Sequence, residues 1–502
     1  MNRTLSLRRG PDYLGILLVL GILALAAFVG LVTAFLPWQF LLIFLLLPTV
    51  FLLSQVWPMV GLVVVLMLIF EAVPTAFQPR LPFGGGKLQT TDLLLLYLTA
   101  VVLMQAFWKR HQPLLAMGPI RFPLYYLGVC MITSLIYVRY YMPNDLALGE
   151  ARVAIGWLVV PLMALAADTP NRAKWMLRSV CAMALLIAAY VTIQSVFSIR
   201  IMTGHGMVAI LDSSGNSDVV RSVAGGGIYL IIFTLFLVIN RLLEGRIFWL
   251  WGMGGALLLV AGIGVQFGRG VWMACALGLV VSAARFRGVA GMFKVLLVGG
   301  VAVGLVLSAV AVFKPRVAQA IVERATGIGN ELQSGGSFGW RLSENAYALD
   351  RIESNPIMGV GLGGQYKQTA SAVGHFGNET NYIHNAYLFF PLKMGLWASF
   401  IPFAFIAAFW VTLKQGVARH QGARADHGLC AALLGAFAVP VVTSFTQPEW
   451  ADPRGIVAFA TFMGLALLYR RFGDFRLPPA AVEGGATATR SGLFRRPRFA
   501  KS

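Results

Sequence analysis

The chain has 502 residues, 58% of them hydrophobic and only 12% charged, with a mean hydropathy of +0.75. Soluble domains usually carry about 45–50% apolar and about 25% charged residues, so a soluble enzyme, a disordered chain and a small secreted disulfide scaffold are excluded. The 40 Lys and Arg against 20 Asp and Glu give a net charge of +20, which would suggest nucleic acid in a soluble protein but here has first to be set against the positive-inside rule.

A spanning helix needs about 20 apolar residues. Runs of that kind are expected near 14–35, 38–54, 57–76, 92–108, 122–142, 152–167, 175–198 and 224–240. Others follow near 247–266, 271–284, 295–313, 386–411, 429–446 and 455–469. The fold class is therefore an all-α polytopic membrane protein of about 12–14 transmembrane helices. Arg8 and Arg9 precede the first run and Ala24-Leu25-Ala26 resembles a cleavage site, but the run stays apolar to Phe35, which favours an uncleaved anchor. Cys130, Cys181, Cys275 and Cys430 all fall inside apolar runs without CxxC spacing, as small buried hydrophobes do.

Both termini are expected in the cytoplasm. That orientation puts Lys109/Arg110, Arg172/Lys174, Arg241/Arg246, Arg285/Arg287, Arg419/Arg424 and Arg470/Arg471 inside, on short loops where the bias has force. His111, His420 and His427 then lie on the cytoplasmic side. Residues 1–313 form an N-terminal set of membrane helices, 314–385 one large periplasmic loop containing short helices, and 386–470 a C-terminal set. The remainder, 471–502, is a basic tail of disordered composition, able to touch anionic lipid heads.

In the long loop, Lys314, Arg316, Arg324, Arg341, Arg351 and Lys367 balance Glu323, Glu331, Glu344, Asp350, Glu353 and Glu379, so it is no crude electrostatic magnet. Arg341 to Ile352 has helical character with Leu342, Ala346, Leu349 and Ile352 on one face. Asn355-Pro356 stops that helix, and the glycine run 359–364 follows. That run comes after Asn-Pro rather than a strand, so a dinucleotide fingerprint is disfavoured. No Walker A sequence, DxD or HExxH is present, and neither a metal nor a cofactor is expected.

Three places carry candidate chemistry. Arg269, in Phe267-Gly268-Arg269-Gly270, lies at a span junction, where an ionisable group is costly and functional by default. Arg221 closes an outer segment just before Ala224-Gly225-Gly226-Gly227 and can equally pair with Asp218 or Asp212 as a plain loop arginine. His384 opens the span after the loop, where a neutral imidazole can accept a proton from a hydroxyl; a capping histidine is the bland alternative. His205 and His375 lack such a setting.

The Arg221 segment, Gly268-Arg269-Gly270, Trp340-Arg341-Leu342, Asn355-Pro356-Ile357-Met358-Gly359-Val360-Gly361 and His384-Asn385-Ala386-Tyr387-Leu388 together resemble the O-antigen ligase and polymerase superfamily of bacterial membrane glycosyltransferases. The motifs span roughly residues 200–412. The resemblance implies a GT-C-like helical fold in the inner membrane, with the active site facing the periplasm. It also implies an undecaprenyl-diphosphate-linked glycan as donor and, as acceptor, another carrier-linked glycan, lipid A-core or a protein serine, with no nucleic acid. It assigns Arg221 and Arg269 to the carrier diphosphate and His384 to activation of the acceptor, with Arg341, Asn385 and Tyr387 as candidate substrate contacts. The chain departs from the family by placing Trp340 before Arg341 and Asn345 a turn after it. The long loop and the number of spans lean towards a polymerase. A lipid-linked sugar transporter or flippase is the alternative of another class, although no repeated halves are visible. A non-catalytic envelope scaffold is the third.

Overall fold

The computed structural model describes residues 48–73, 89–108, 116–197, 209–210, 220–326, 337–367, 381–420 and 426–473. The span expected at 14–35, nearly all of the tail, and His111, His205, His375, Asp212 and Asp218 lie outside the described residues, as does the side chain of Arg221. The described chain is an all-α polytopic membrane protein. Seven helical segments are long and apolar enough to cross a membrane, and five shorter apolar helices of 10–17 residues accompany them.

A helical stretch at 48–56 leads through Trp57 into α1 (Pro58–Ile69). Then come α2 (Thr90–Trp108), α3 (Arg121–Tyr141), the short α4 (Ala147–Arg152), α5 (Val159–Ala166) and α6 (Pro170–Phe197). Two two-residue strands, β1 (Ala209–Ile210) and β2 (Val220–Arg221), pair antiparallel with Ala209 opposite Arg221. Beyond them lie α7 (Gly227–Leu243), α8 (Trp249–Gly264), α9 (Arg269–Phe313) and α10 (Pro315–Thr326). The order closes with α11 (Ser337–Ser354), α12 (Ala386–Met394), α13 (Phe400–Arg419), α14 (His427–Thr443) and α15 (Pro453–Phe472).

Although helical throughout, α9 reverses direction. A Cβ on Gly299 would sit 3.1 Å from Leu279 Cδ2, whereas twenty residues of straight helix separate their ends by about 30 Å. Val310 likewise packs beside Trp272 around Phe267 and Val317. The two arms, Arg269–Ala283 and Val289–Phe313, therefore run antiparallel, in keeping with separate spans at 271–284 and 295–313. The first arm packs tightly on α14: a Cβ on Gly278 would meet Gly435 O at 2.6 Å and one on Gly435 would meet Gly278 O at 2.4 Å. Facing small residues are how membrane helices approach closely in the absence of a hydrophobic drive between them.

The centre of the bundle is α15, of whose apolar stretch 83% is buried, while the second arm of α9 is only 17% buried and faces outward. Around α15, Trp450 stacks on Phe459 with ring centroids 3.8 Å apart, and Trp157 stacks on Phe405 at 4.2 Å. Offset aromatic pairs of this kind add to the packing of the core.

A single span at 386–411 is not what forms. α12 contains Pro391, which lacks an N–H, and ends at Gly395 with φ of 90°. A Cβ there would lie 1.8 Å from Ile357 O, and Leu396 N donates to Pro356 O at 2.8 Å. The helix breaks where the loop beginning at Asn355 docks onto it, and restarts as α13.

That loop folds over a small second core of Ala348, Ile352, Val360, Tyr366, Ile383 and Leu392. Gly359, Gly361 and Gly363 all have positive φ, near 65°, 77° and 73°, a region open chiefly to glycine. Gly363 N donates to Glu150 Oε2 at 2.7 Å, and the fully buried Lys393 reaches both Glu150 Oε1 (3.1 Å) and Gly364 O (2.7 Å). The glycine run is a docking turn.

Helix α11 ends at Ser354, as Asn355-Pro356 requires, but its buried face is not the apolar one expected. Leu342, Ala346 and Leu349 are exposed, and the inward stripe is Glu344, Ala348 and Ile352. Counting apolar residues alone misses a stripe that begins with a charge neutralised across the fold.

Candidate active site

Arg269 is the first residue of α9. The turn before it is strained: Phe267 has φ of 51°, a left-handed conformation that non-glycine residues adopt at a cost of about 1–3 kcal/mol. Its fully buried ring, packed against Val317, Trp272 and Val310, holds it there. Trp272 Nε1 donates to Ile263 O at 3.1 Å and ties the first turn of α9 to the end of α8. The Nε and Nη1 atoms of Arg269 are shielded from solvent.

The Arg221 segment is tied to this same turn. Ser222 N donates to Val265 O at 3.3 Å, and Ala224 N to Gln266 Oε1 at 3.4 Å. The buried Ser222 hydroxyl takes a hydrogen bond from Gln194 Nε2 at 2.9 Å. The backbones carrying Arg221 and Arg269 thus lie side by side, for a reason no local pattern states: Gln194 and Gln266 are polar residues inside apolar surroundings.

The turn between α14 and α15 joins this pair to the histidine segment. A Cβ on Gly270 would lie 3.8 Å from Thr446 Oγ1, while Ala386 N donates to Ser444 O at 2.9 Å. Asn385 caps α12, accepting from Tyr387 N at 3.0 Å, and the Tyr387 hydroxyl donates to Val441 O at 2.8 Å. Both side chains commit polar atoms to setting the start of α12, immediately after His384. Arg341 lies one turn before Glu344 on α11 and is half-buried.

His384 is not alone. Its backbone N–H donates to Glu344 Oε2 at 2.9 Å, and its Nδ1 lies 2.8 Å from the same oxygen. Glu344 Oε1 takes a hydrogen bond from Lys367 Nζ at 2.6 Å. The Glu344 side chain is wholly buried, Lys367 is 5% exposed and the His384 ring 15%. Lys367 sits over the rings of Trp340 and Tyr366, 5.6 Å from each centroid. Burial alone would raise the Glu344 carboxyl, but the hydrogen bonds from His384 and Lys367 overcome it and hold the group at about 2. The Tyr382 ring meets the imidazole edge-on at 4.9 Å.

Sequence reasoning passed over Glu344 and Lys367 as two charges in a balanced loop. The retrievable signal was Glu344 at the spacing of Ala348 and Ile352, a carboxylate on an otherwise apolar stripe. Arg454 was missed as well. Its guanidinium pairs with Glu71 Oε1 at 2.7 Å, and its Nη1 lies 3.1 Å from where a Cβ on Gly225 would stand, close to the Arg221 segment. Among the described residues no cluster of His, Cys, Asp or Glu is arranged to hold a metal ion.

Fold and site define a polytopic membrane protein that gathers ionisable groups and backbone turns at one end of its helical bundle. Residues 254–403 match the family model described as O-Antigen ligase. The match makes this stretch of the chain similar to O-antigen ligases. It includes Arg269, Arg341 and His384 and leaves Arg221 outside. No curated protein matches the chain.

Proposed function

We propose that this protein is a glycosyltransferase of the bacterial inner membrane. It takes a glycan from undecaprenyl diphosphate at the periplasmic end of the bundle and passes it to an acceptor hydroxyl with inversion and without a metal. The observation that carries this is the turn after α14, which touches Gly270 beside Arg269 and Ala386 beside His384, while Ser222 beside Arg221 bonds to the turn before Arg269. Three separate stretches of chain meet there.

The chemistry follows from charge. Cleaving a sugar–diphosphate bond releases negative charge onto the leaving group, and fixed guanidinium groups stabilise it. Arg221 and Arg269 supply two forks able to bind phosphate bidentately. At the mouth of a membrane cavity that attraction is stronger than in water. His384 accepts the proton of the acceptor hydroxyl, Asn385 and Tyr387 fix the backbone that presents it, and Arg341 lies one turn from Glu344, the carboxylate bonded to His384. On this reading residues 1–313 and 386–470 are the membrane body, 314–385 the periplasmic insertion over the site, and 471–502 a cytoplasmic tail.

The long insertion favours a polymerase acting on a second carrier-linked glycan. The family model's description, O-Antigen ligase, favours transfer to lipid A-core as the second reading. Loss of the gene separates them, leaving single repeat units in the first case and unattached long chains in the second. For the chemistry itself, Arg221→Ala and Arg269→Ala are each expected to reduce glycan transfer by purified protein at least about 100-fold, the scale of losing one preorganised charge-stabilising group. Membrane insertion and abundance should be unchanged. Near-native turnover in both variants would reject the diphosphate clamp, and inhibition by a chelator would reject the metal-free mechanism.

A further inference from the structure

We propose that Glu344 is the positioning carboxylate of His384: it fixes the imidazole with the proton on Nδ1 and the lone pair on Nε2 to take the acceptor's proton, and Lys367 secures it. This rests on the reading of His384 as the base. The geometry dictates the tautomer. Glu344 Oε2 already accepts from the His384 backbone N–H at 2.9 Å and lies 2.8 Å from Nδ1. An ionised carboxylate can only accept, so Nδ1 must donate, and in a neutral ring the lone pair then belongs to Nε2. Lys367 Nζ occupies the other oxygen at 2.6 Å. Edge-on contact with Tyr382 limits rotation of the ring.

A structural role alone accounts for less. A carboxylate that merely capped the 384 turn would need the backbone N–H, not the ring nitrogen. It would also not need to remain ionised when fully buried, a state that costs several kcal/mol per ion unless it is paired and hydrogen-bonded. This one is held at about 2 against its own burial, by His384 and Lys367. The charge sits where an imidazolium would form.

In the transfer step the acceptor oxygen forms its bond to the anomeric carbon. The bond from that carbon to the diphosphate oxygen breaks, and its electron pair leaves with the diphosphate. The hydroxyl proton moves to His384 Nε2. Glu344 stabilises the resulting imidazolium and is not itself protonated, as in other carboxylate–histidine pairs. The imidazolium returns its proton to solvent or to the departing diphosphate before the next turnover.

The experiment is steady-state transfer by the purified full-length protein, with an undecaprenyl-diphosphate-linked repeat unit as donor. Glu344→Gln keeps the shape but removes the charge and lets the ring adopt the other tautomer. Its kcat is expected to fall about 100-fold or more, the scale of a misdirected general base, with KM for the donor within about twofold. Glu344→Asp should recover part of the loss, and Glu344→Gln combined with His384→Ala should be no slower than His384→Ala alone. Native-like kcat in Glu344→Gln, with His384→Ala inactive, overturns the positioning role. An active His384→Ala instead overturns the reading of the base on which it rests. Should Glu344→Gln fail to accumulate, Glu344→Asp decides. A lowered kcat at unchanged KM supports the role, because the shorter carboxylate keeps its charge but retreats from Nδ1; a native kcat overturns it.

Discussion

Two buried carboxylates in this molecule are each held by two basic residues, and the difference between them separates architecture from chemistry. Asp426, wholly buried, caps α14 by accepting from Leu429 N at 3.0 Å, pairs with Arg241 Nη2, and meets Arg246 Nη1 at 3.2 Å. Glu344, also wholly buried, caps nothing on its own helix and holds Lys367 and His384 across the fold. The two lie at opposite ends of the bundle, since Arg241, near the far end of α7, is about 21 Å along the helix from Gly227, beside the Arg221 segment. A guanidinium stays protonated under all ordinary conditions, so the Asp426 cluster is closed once it is paired. An imidazole bound through one nitrogen keeps a second that can gain or lose a proton. A buried ion cluster is a structural pin unless one of its members has such a second valence.

The comparison is tested most severely by removing the two carboxylates. Asp426→Ala leaves two guanidinium groups without their partner and α14 without its cap, a loss of about 3–5 kcal/mol. It is expected to reduce folded protein in the membrane strongly, as size-exclusion profiles in detergent would reveal, while any folded fraction keeps its specific activity. Glu344→Gln should do the reverse. If Asp426→Ala protein is abundant but inactive, the distinction fails.

Acid provides a gentler probe of the same pair. A carboxylate held below its unfolded value of about 4.3 contributes stability that is complete above that value and is lost as pH falls towards the folded value. For Glu344 that value is about 2, so α11 should remain docked at pH 5 and loosen between about pH 4 and pH 2. Hydrogen exchange over 337–366 should accelerate in that window. Unchanged protection at pH 2 would mean that the ion cluster does not hold the helix.

The smallest effect is expected at Glu449, in the turn after α14. Burial, reinforced by Asp452 and opposed by a hydrogen bond from Tyr229, pushes its carboxyl up to about 8, so at pH 7 it is already largely protonated. With the folded value raised, its contribution is complete below about 4.3 and fades as pH rises through about 8. Glu449→Gln should therefore melt within about 2 °C of the native protein at pH 7 and lose less stability between pH 5 and pH 8. A large drop at pH 7 would show that the charged form is needed.

Much of this architecture is legible locally. Apolar run length located most of the membrane-length helices and the junction of the two arms of α9, because spanning a bilayer is a property of each segment by itself, and the proline located the stop at Asn355-Pro356. The break at Gly395 was not legible from hydropathy, because it comes from the carbonyl of Ile357 pressing on the backbone of α12. Within the candidate site, Arg269 and His384 stood out as ionisable groups at span ends. Glu344 and Lys367 did not, because they look like ordinary loop charges until the loop folds.

The sequence by itself determined that this is a membrane protein, roughly which segments are long and apolar enough to cross, and which motifs resemble those of the O-antigen ligase and polymerase superfamily, since composition and short patterns suffice for these. Only the tertiary structure decided that α15 is the central helix and the second arm of α9 an outer one. Lipid tails and protein cores are equally apolar, so hydropathy cannot rank helices by burial. It also decided that His384 meets a carboxylate forty positions away, for pairing across a fold depends on where turns and caps bring the backbone, and no local rule encodes that.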